Sequence, residues 1–152
     1  MLKNRNIVET EIKNQVFLSF RLVDELFAAN VDSVVNILEL IQITPVPLSP
    51  PHMIGVLNQR GTVLPVIDTR LKLNLPITEN TKDTCIIVLS VKVDEDIVEI
   101  GAIADAVNEV IEVPEYEIFP PIQLGSVYDS KYIKGLIKYN AQFVNILDID
   151  AL

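Results

Sequence analysis

Residue types on which catalytic and metal sites depend are scarce in this chain of 152 residues, which has one Cys, one His and no Trp. A lone Cys85 cannot form an internal disulfide, and a single His leaves no zinc site of the usual Cys and His type. Five glycines are few for a phosphate-binding loop, and the chain contains no nucleophile elbow, P-loop or dinucleotide fingerprint. We therefore expect no enzyme, no metal and no cofactor.

The lone cysteine and the lone histidine both stand in contexts that favour structural roles. Cys85 opens the run Cys-Ile-Ile-Val-Leu, which is typical of a small core residue in a buried strand. A catalytic thiol would instead need a basic neighbour. His52 follows Pro50-Pro51 in a loop or single turn, where a solvent-facing or locally hydrogen-bonded ring is expected.

Basic side chains are also few, since 12 Lys and Arg face 21 Asp and Glu for a net charge of -9. Nucleic acid and anionic membranes both attract a surplus of cations, so neither is an expected partner. The N-terminus lacks the apolar stretch of a signal peptide, and no window approaches about 18 apolar residues. With 49% hydrophobic residues, the chain should fold, and we expect it to be cytoplasmic.

Short apolar or alternating runs dominate the sequence. Ten such runs lie between Val16 and Leu147, rich in β-branched residues and separated by turn residues. This pattern predicts an all-β chain. Helix is limited to single turns, which we expect near Pro50 to Ile54, Asp68 to Leu73, Pro114 to Tyr116 and Ser130 to Ile133.

An internal repeat divides the chain. The run from Val16 to Leu22 matches the run from Ile87 to Val93, and the run from Gly55 to Asp68 matches Gly135 to Asp148 in the same order. We therefore interpret residues 1–152 as one domain built from two copies, residues 15–75 and 84–152. Each copy predicts a small five-stranded barrel. At about 60 residues neither barrel would be stable alone, so the two should pack together and leave a groove at their seam.

Residues that recur in both copies are candidates for fold, and residues found in one copy are candidates for function. Gly55 and Gly135 recur, which indicates a shared backbone geometry. The recurring carboxylates are assigned to turns or caps rather than to acid/base catalysis; they are Asp68 with Asp148, and Asp32 with Asp105. Copy one differs by carrying Arg70, where copy two has Asp150, and by its turn at residues 58–61.

The sequence Asn58-Gln-Arg-Gly61 predicts a hairpin turn, with a positive φ at Gly61 and with Arg60 at the tip. The Arg60 guanidinium could pair with a carboxylate of a partner, or it could simply be solvated. Pro65 cannot donate to a ladder, so it should lie on an edge strand or at a bulge and leave an edge free.

These motifs resemble the CheW family of chemotaxis coupling proteins. The signature runs from Ile54 to Gly61 and from Val63 to Arg70, and the resemblance continues through the segments 101–110, 132–135 and 146–149. It implies two SH3-like barrels with no catalytic activity. It also implies an adaptor that holds the histidine kinase CheA, through the kinase's own CheW-like domain, to the helical cytoplasmic tips of chemoreceptors. Without a kinase or receiver domain, a free-standing coupling protein of receptor arrays at the inner membrane is the expected member.

The resemblance also implies site residues. Receptor binding is expected at the groove between the barrels, whose matching positions are Val31, Val34, Gly55, Arg60, Val107 and Val110. Such a groove would hold an amphipathic helix. Kinase contact is expected at barrel ends, with Asn58 and Val63 as candidates, while Gly61, Pro65, Asp68, Arg70 and Gly135 serve as structural positions of the motif. Each valine could equally be an ordinary core residue.

Two positions depart from the family pattern, which usually has Leu where Gln59 stands and Glu where Asn36 stands. Gln59 predicts a more exposed or altered hairpin tip, and Asn36 removes a charge from a partner-facing surface. Two alternatives stay open. One is a related adaptor of a non-flagellar pathway, and the other is a small-ligand sensor that uses the seam as a pocket.

Overall fold

A computed structural model describes residues 13–121 and 130–152. The described residues form strands over most of their length, with short helical turns between them. The strands are β1 (Asn14–Leu22), β2 (Glu25–Asn30), β3 (Val34–Glu39), β4 (Met53–Gln59), β5 (Thr62–Ile67), β6 (Cys85–Val93), β7 (Asp96–Ala104), β8 (Ala106–Pro114), β9 (Ile118–Phe119), β10 (Ile133–Tyr139) and β11 (Gln142–Leu147). The helix α1 is Thr69–Lys72, and 3-10 turns cover Val31–Ser33, Glu115–Glu117, Ser130–Tyr132 and Ile149–Ala151. The all-β prediction is confirmed.

The strands form two sheets with the same internal plan. The six-stranded sheet has the order β8-β1-β2-β11-β10-β9, and the five-stranded sheet has the order β3-β6-β7-β5-β4. In each sheet two antiparallel hairpins join through one parallel pair, β2 with β11 and β5 with β7. The strand β9 on β10 corresponds to the isolated bridge of Thr44 to Val56 on β4. The repeat seen in the sequence is therefore a repeat of strand pairing.

The two copies exchange hairpins, which the sequence boundaries did not anticipate. The β1–β2 hairpin of the first copy pairs with β8 and β11, and the β6–β7 hairpin of the second copy pairs with β3 and β5. The contiguous subdomains 15–75 and 84–152 therefore do not coincide with the two sheets. Because the copies are alike, a hairpin can complete the sheet of either copy, and the sequence repeat alone does not distinguish the two pairings.

Three apolar clusters hold the sheets. One fills the six-stranded sheet and includes Phe17 and Ile137, and another fills the five-stranded sheet and includes Leu57 and Ile86. Each draws on strands from opposite ends of its sheet, which requires the sheet to curl as a small barrel does. The third and largest cluster, which we call the central cluster, lies between the sheets and contains Phe27. The seam is therefore a packed core rather than an open groove.

The chain passes between the sheets at two places. It leaves β2 for β3 through the turn Val31–Ser33, and it leaves β7 for β8 through the single residue Asp105. We call these the first and second crossings. The strands that follow them, β3 and β8, are edge strands of their sheets.

The single turn predicted near Pro50 to Ile54 is present as one hydrogen-bonded turn, in which the Met53 N–H donates to the Pro50 carbonyl at 2.9 Å, and the chain then enters β4 without forming a helix. The prediction for Pro65 is wrong for a physical reason. Pro65 is not on an edge strand, since β5 lies between β7 and β4. Pro65 pairs with Val56 of β4, and the N–H and carbonyl of Val56 both bond to Thr44 rather than to β5. The side of Pro65 that lacks an N–H therefore faces β7, and the pairing of β5 with β7 begins only at Val66.

Gly55 and Gly135 occupy equivalent places, as the repeat predicted. Each follows a shift of register in its hairpin. A Cβ on Gly55 would overlap the carbonyl oxygen of Thr44 and approach its carbonyl carbon to 2.7 Å, whereas a Cβ on Gly135 would meet the Ile118 methyl at 3.1 Å and the Phe119 carbonyl oxygen at 3.2 Å. The first is an overlap with backbone that holds the bridge to Val56, and the second is a tight contact that a shift of a few tenths of an ångström relieves.

The equivalent substitutions Gly55→Ala and Gly135→Ala should therefore differ in their effect on stability. We expect Gly55→Ala to lower the free energy of unfolding by about 3 kcal/mol and Gly135→Ala by about 1 kcal/mol, because only the first brings the new methyl group into overlap with backbone atoms. Urea unfolding followed by circular dichroism measures both values. Equal losses would mean that the bridge between Thr44 and Val56 yields as easily as a side chain.

Candidate partner-binding surfaces

The valines predicted to bind a receptor flank the two crossings. Val31 and Val34 lie at the first crossing, and Val107 follows the second; all three are half-buried and pack against the central cluster. Val110, on the edge strand β8, is 60% exposed. The structure thus places these four side chains at the rim of the seam, on or beside the edge strands β3 and β8. We call them the crossing valines.

Gly55 and Arg60, the other predicted receptor residues, lie elsewhere. Gly55 is buried in β4, where its lack of a side chain admits Thr44. Arg60 lies at the turn between β4 and β5. This turn has positive φ at both central residues, 53° at Arg60 and 81° at Gly61, and the Gly61 N–H donates to Asn58 Oδ1 at 3.0 Å. The predicted hairpin is confirmed, and Arg60 itself shares the left-handed conformation that was expected of Gly61.

Arg60 and Val63 line one groove of about 800 Å³ on the five-stranded sheet. We call it the hairpin groove. Sequence reasoning assigned Arg60 to a receptor and Val63 to a kinase, yet the two residues are neighbours here. Val63 is 62% exposed and faces its register partner Asn58 across the hairpin. Three further exposed apolar residues of this groove were missed in the sequence; they are Val35, Ile97 and Val98.

The missed residues left a weak signal in the sequence. Ile97 and Val98 stand between acidic residues just after the turn that joins β6 to β7. Two adjacent apolar residues in a strand point to opposite faces, so one was bound to face outward at a hairpin tip. Ile97 is the more exposed, at 73%.

The two departures from the family pattern also fall in the hairpin groove. Asn36 is exposed and Gln59 is half-buried, and both line the groove beside Arg60. Asn36 Oδ1 accepts from the Ile37 N–H at 2.8 Å, so its side chain is held against its own strand. With neutral amides at both positions, the charges that line this groove are Arg60 and Glu99.

Arg70, assigned a structural role from its motif, forms the centre of a buried ion cluster. Its guanidinium binds Asp68 through two bonds, from Nε at 2.9 Å and from Nη2 at 3.0 Å. Its Nη1 donates to Asp105 at 3.1 Å and to the Thr78 carbonyl at 3.0 Å. Asp68 also caps α1 by accepting from the Arg70 N–H, which confirms its predicted cap role.

The electrostatics of this cluster keep the Arg70 guanidinium charged. The hydrogen bond with Asp68 raises the pKa of Arg70 above its usual value, against the opposing effect of burial, and Asp105 adds to the rise. Arg70 is 2% exposed, and both carboxylates are also buried. The second copy has Asp150 at this position, where Asp150 Oδ1 accepts from the Lys92 N–H at 2.8 Å. The ion cluster therefore belongs to one sheet and breaks the symmetry of the repeat.

The two candidate reactive residues have structural surroundings. Burial raises the pKa of the Cys85 thiol, with Asp105 adding to the effect, so the thiolate is disfavoured. His52 Nε2 lies 3.4 Å from Lys72 Nζ, and that ammonium lies 5.6 Å from the Tyr132 ring centroid. Burial, and then Lys72, lower the pKa of His52, so the neutral ring accepts from the ammonium at neutral pH.

The described part of the chain contains no cluster of three or more His, Cys, Asp or Glu side chains that could hold a metal ion. Within residues 13–121 and 130–152, no helix is long and apolar enough to cross a membrane.

The hairpin groove and a second cavity of about 600 Å³ beside Arg70 share no residue with the central cluster. A third, smaller cavity of about 320 Å³ lies at the second crossing and is lined by residues that include Arg21, Val23, Thr78 and Asp105. Most of the seam is filled by packed apolar side chains.

Two packed, curled sheets with exchanged hairpins, and an exposed apolar groove on one of them, define the chain as an all-β protein of the double-barrel class. The chain belongs to the CheW family: the model of the CheW-like domain matches residues 16–152. A crystal structure of the scaffolding protein TtCheW from Thermoanaerobacter tengcongensis superposes with a TM-score of 0.81, at 27% identity over 90% of this chain and 86% of that one.

Chemotaxis proteins of several bacteria are similar over most of their length. The chemotaxis protein CheW of Bacillus subtilis is 37% identical over 83% of this chain and 78% of its own. The chemotaxis protein CheW of Thermotoga maritima is 33% identical over 93% of this chain and 89% of its own. Protein FrzA of Myxococcus xanthus is 28% identical over the whole of this chain and 93% of its own. The family predicted from sequence motifs is confirmed.

Replacing Arg70 with Met should strongly destabilise the protein. The substitution removes the guanidinium and leaves the carboxylates of Asp68 and Asp105 buried without a cation, which costs about 3 to 5 kcal/mol. Arg60→Met serves as the control, because that side chain is exposed and should change stability by less than about 0.5 kcal/mol. Urea unfolding of both variants at pH 7 gives the comparison. An Arg70→Met protein as stable as its parent would show that the cluster contributes nothing net.

Proposed function

We propose that this protein is a non-catalytic adaptor of bacterial chemotaxis that couples the cytoplasmic tips of chemoreceptors to the histidine kinase CheA in a two-component signalling array. The observation that carries the proposal is the exposed apolar hairpin groove, together with the half-buried crossing valines and the exposed Val110 at the rim of the seam. An adaptor must hold two partners at once, and apolar side chains grouped at the surface of a folded domain mark interaction sites. Membership of the CheW family supports this assignment.

The crossing valines form the proposed receptor surface. Val31, Val34 and Val107 rest on the central cluster, so their backbones are held firmly while part of each side chain stays accessible. Val110 adds an exposed apolar group on β8. Packing of apolar residues at the rim between two barrels suits an amphipathic helix of a receptor tip, which buries one face. Gly55 would act indirectly, through the backbone of β4.

The hairpin groove forms the proposed kinase surface, with Asn58 and Val63 at its edge. Its apolar members come from four different strands of the five-stranded sheet, and such a barrel end is suited to pack against the end of another barrel. Arg60 lies where this groove ends at the hairpin tip. We assign Arg60 to the receptor surface, where its guanidinium would pair with a carboxylate of the tip.

The proposed site of action is the cytoplasm, at receptor arrays on the inner membrane. Binding to the arrays through receptor tips requires no insertion into lipid. The net charge of -9 also opposes direct association with anionic lipid or nucleic acid.

Charge introduced on one surface should weaken one partner and spare the other. Val63→Glu is expected to weaken binding of the CheA regulatory domain at least about tenfold, because a carboxylate would be desolvated in an apolar contact. Val110→Glu should have the same effect on binding of a receptor tip. Isothermal titration against both partners measures each affinity. Leu48→Glu, which changes an exposed loop residue outside both surfaces, is the matched control and should bind both partners normally.

Reversal of charge at Arg60 tests its assignment. Arg60→Glu should weaken receptor binding about tenfold or more through repulsion of the partner carboxylate, and it should weaken kinase binding less, although Arg60 also lines the hairpin groove. The same titrations give the result. Loss of kinase affinity alone would move Arg60 to the kinase surface, and a protein that binds both partners as its parent does would remove Arg60 from either role.

A further inference from the structure

The two crossings between the sheets are anchored differently. At the first, the Asp32 N–H donates to Asn30 Oδ1 at 2.9 Å, a local and exposed bond within the turn itself. At the second, Asp105 is 6% exposed and bonds to segments far away in the sequence. Only Ala106 separates it from Val107, the crossing valine that follows on β8.

Asp105 binds three other segments. Its N–H donates to the Arg21 carbonyl at 2.9 Å, and its Oδ2 accepts from the Val23 N–H at 2.6 Å, so it holds the turn of the β1–β2 hairpin. Its Oδ1 accepts from Arg70 Nη1 and from Thr78 Oγ1, both at 3.1 Å, so it also holds α1 and the segment that leads to β6. One carboxylate thus links the exchanged hairpin of one sheet to the end of the other sheet.

The hairpin turn that Asp105 holds is strained. Val23 has a φ of 59°, a conformation that a β-branched residue adopts only when its surroundings impose it. The two-residue turn of the hairpin imposes it here, since Asp94, at the matching place in the β6–β7 hairpin, has a φ of 55°. The bond from the Val23 N–H to Asp105 ties this turn to the second crossing.

We propose that Asp105 is a positioning residue that fixes where β8 begins relative to β3, and so sets the geometry of the crossing valines for a receptor tip. The link to receptor binding rests on the proposed function. The positional part stands on the contacts of Asp105 alone. Val34 and Val107 pack on the central cluster from opposite crossings, so a shift of the second crossing changes their relative placement.

The substitution Asp105→Asn tests this proposal with little change in side-chain shape. A carboxylate accepts at both oxygens, whereas an amide accepts at only one, so either the Val23 N–H or the Arg70 guanidinium loses its acceptor. Arg70 keeps Asp68, which limits the loss of stability. Thr78→Val removes one donor to the same carboxylate and provides a milder second variant if Asp105→Asn fails to fold.

The first measurement needs no partner. Spin labels at Asn36→Cys on β3 and Asn108→Cys on β8, both exposed positions, report the distance between the two edge strands by pulsed electron resonance in a Cys85→Ala background. We expect a displaced or broader distribution in Asp105→Asn, and a smaller change of the same kind in Thr78→Val. A distribution identical to that of the parent overturns the positioning role.

The second measurement is the affinity for a receptor tip and for the CheA regulatory domain. Asp105→Asn should bind the tip about fivefold to tenfold more weakly and the kinase domain within about twofold of the parent. Ile137→Val, a buried change inside the six-stranded sheet, controls for general loss of stability and should leave both affinities unchanged. If the label distance changes but the tip affinity stays normal, the spacing of β3 and β8 does not control receptor binding, and the link from Asp105 to the receptor is overturned. Failure of the parent itself to bind the tip would refute the proposed function, while the label distances would still decide the positioning role.

Discussion

The exchange of hairpins between the two copies is the constraint on which the rest of this structure depends. Since β1–β2 completes one sheet and β6–β7 completes the other, neither sheet can form from one half of the chain. Both hairpins also contribute to the central cluster, with residues such as Phe27 and Leu89 buried there. Burial of so much apolar surface at one seam fixes the orientation of the barrels. The two proposed partner surfaces are consequently held in a constant relation, as the proposed adaptor role requires.

The buried ion cluster makes the two halves of an otherwise symmetric scaffold different from each other. Arg70 compensates two buried carboxylates, Asp68 and Asp105, and the corresponding place in the other sheet has Asp150 on its surface. A buried ion pair is seldom better for stability than apolar packing, but it demands one geometry. Here that geometry joins α1, the segment leading to β6 and the second crossing. The hairpin groove and the crossing valines are thereby placed on a scaffold with distinguishable ends, so two partners can be bound at different surfaces.

Predictions made from local chemistry agreed with the structure where local forces decide. The turn at Gly61 needs a positive φ, and the cap at Asp68 needs a short side-chain acceptor, so both could be read from residue types. Pro65 misled the prediction because its ring forbids a hydrogen bond on one side only, and β5 has a free stretch on that side although it is an inner strand. The candidate site was only partly predictable, because Arg60 and Val63 became neighbours through β-pairing while Asp105 gained its partners across distant segments.

The pattern of β-branched residues and turns determined that this chain is all-β, that it contains two copies of one unit and that it belongs to a recognisable family. These properties follow from side-chain alternation and backbone preferences within a few residues of each other. Tertiary structure alone decided which hairpin joins which sheet, that the seam is filled, and that Asn36, Gln59 and Arg60 share one groove. The reason is that two similar copies offer equivalent local pairings, so the choice between them depends on long-range burial that no short stretch of sequence encodes.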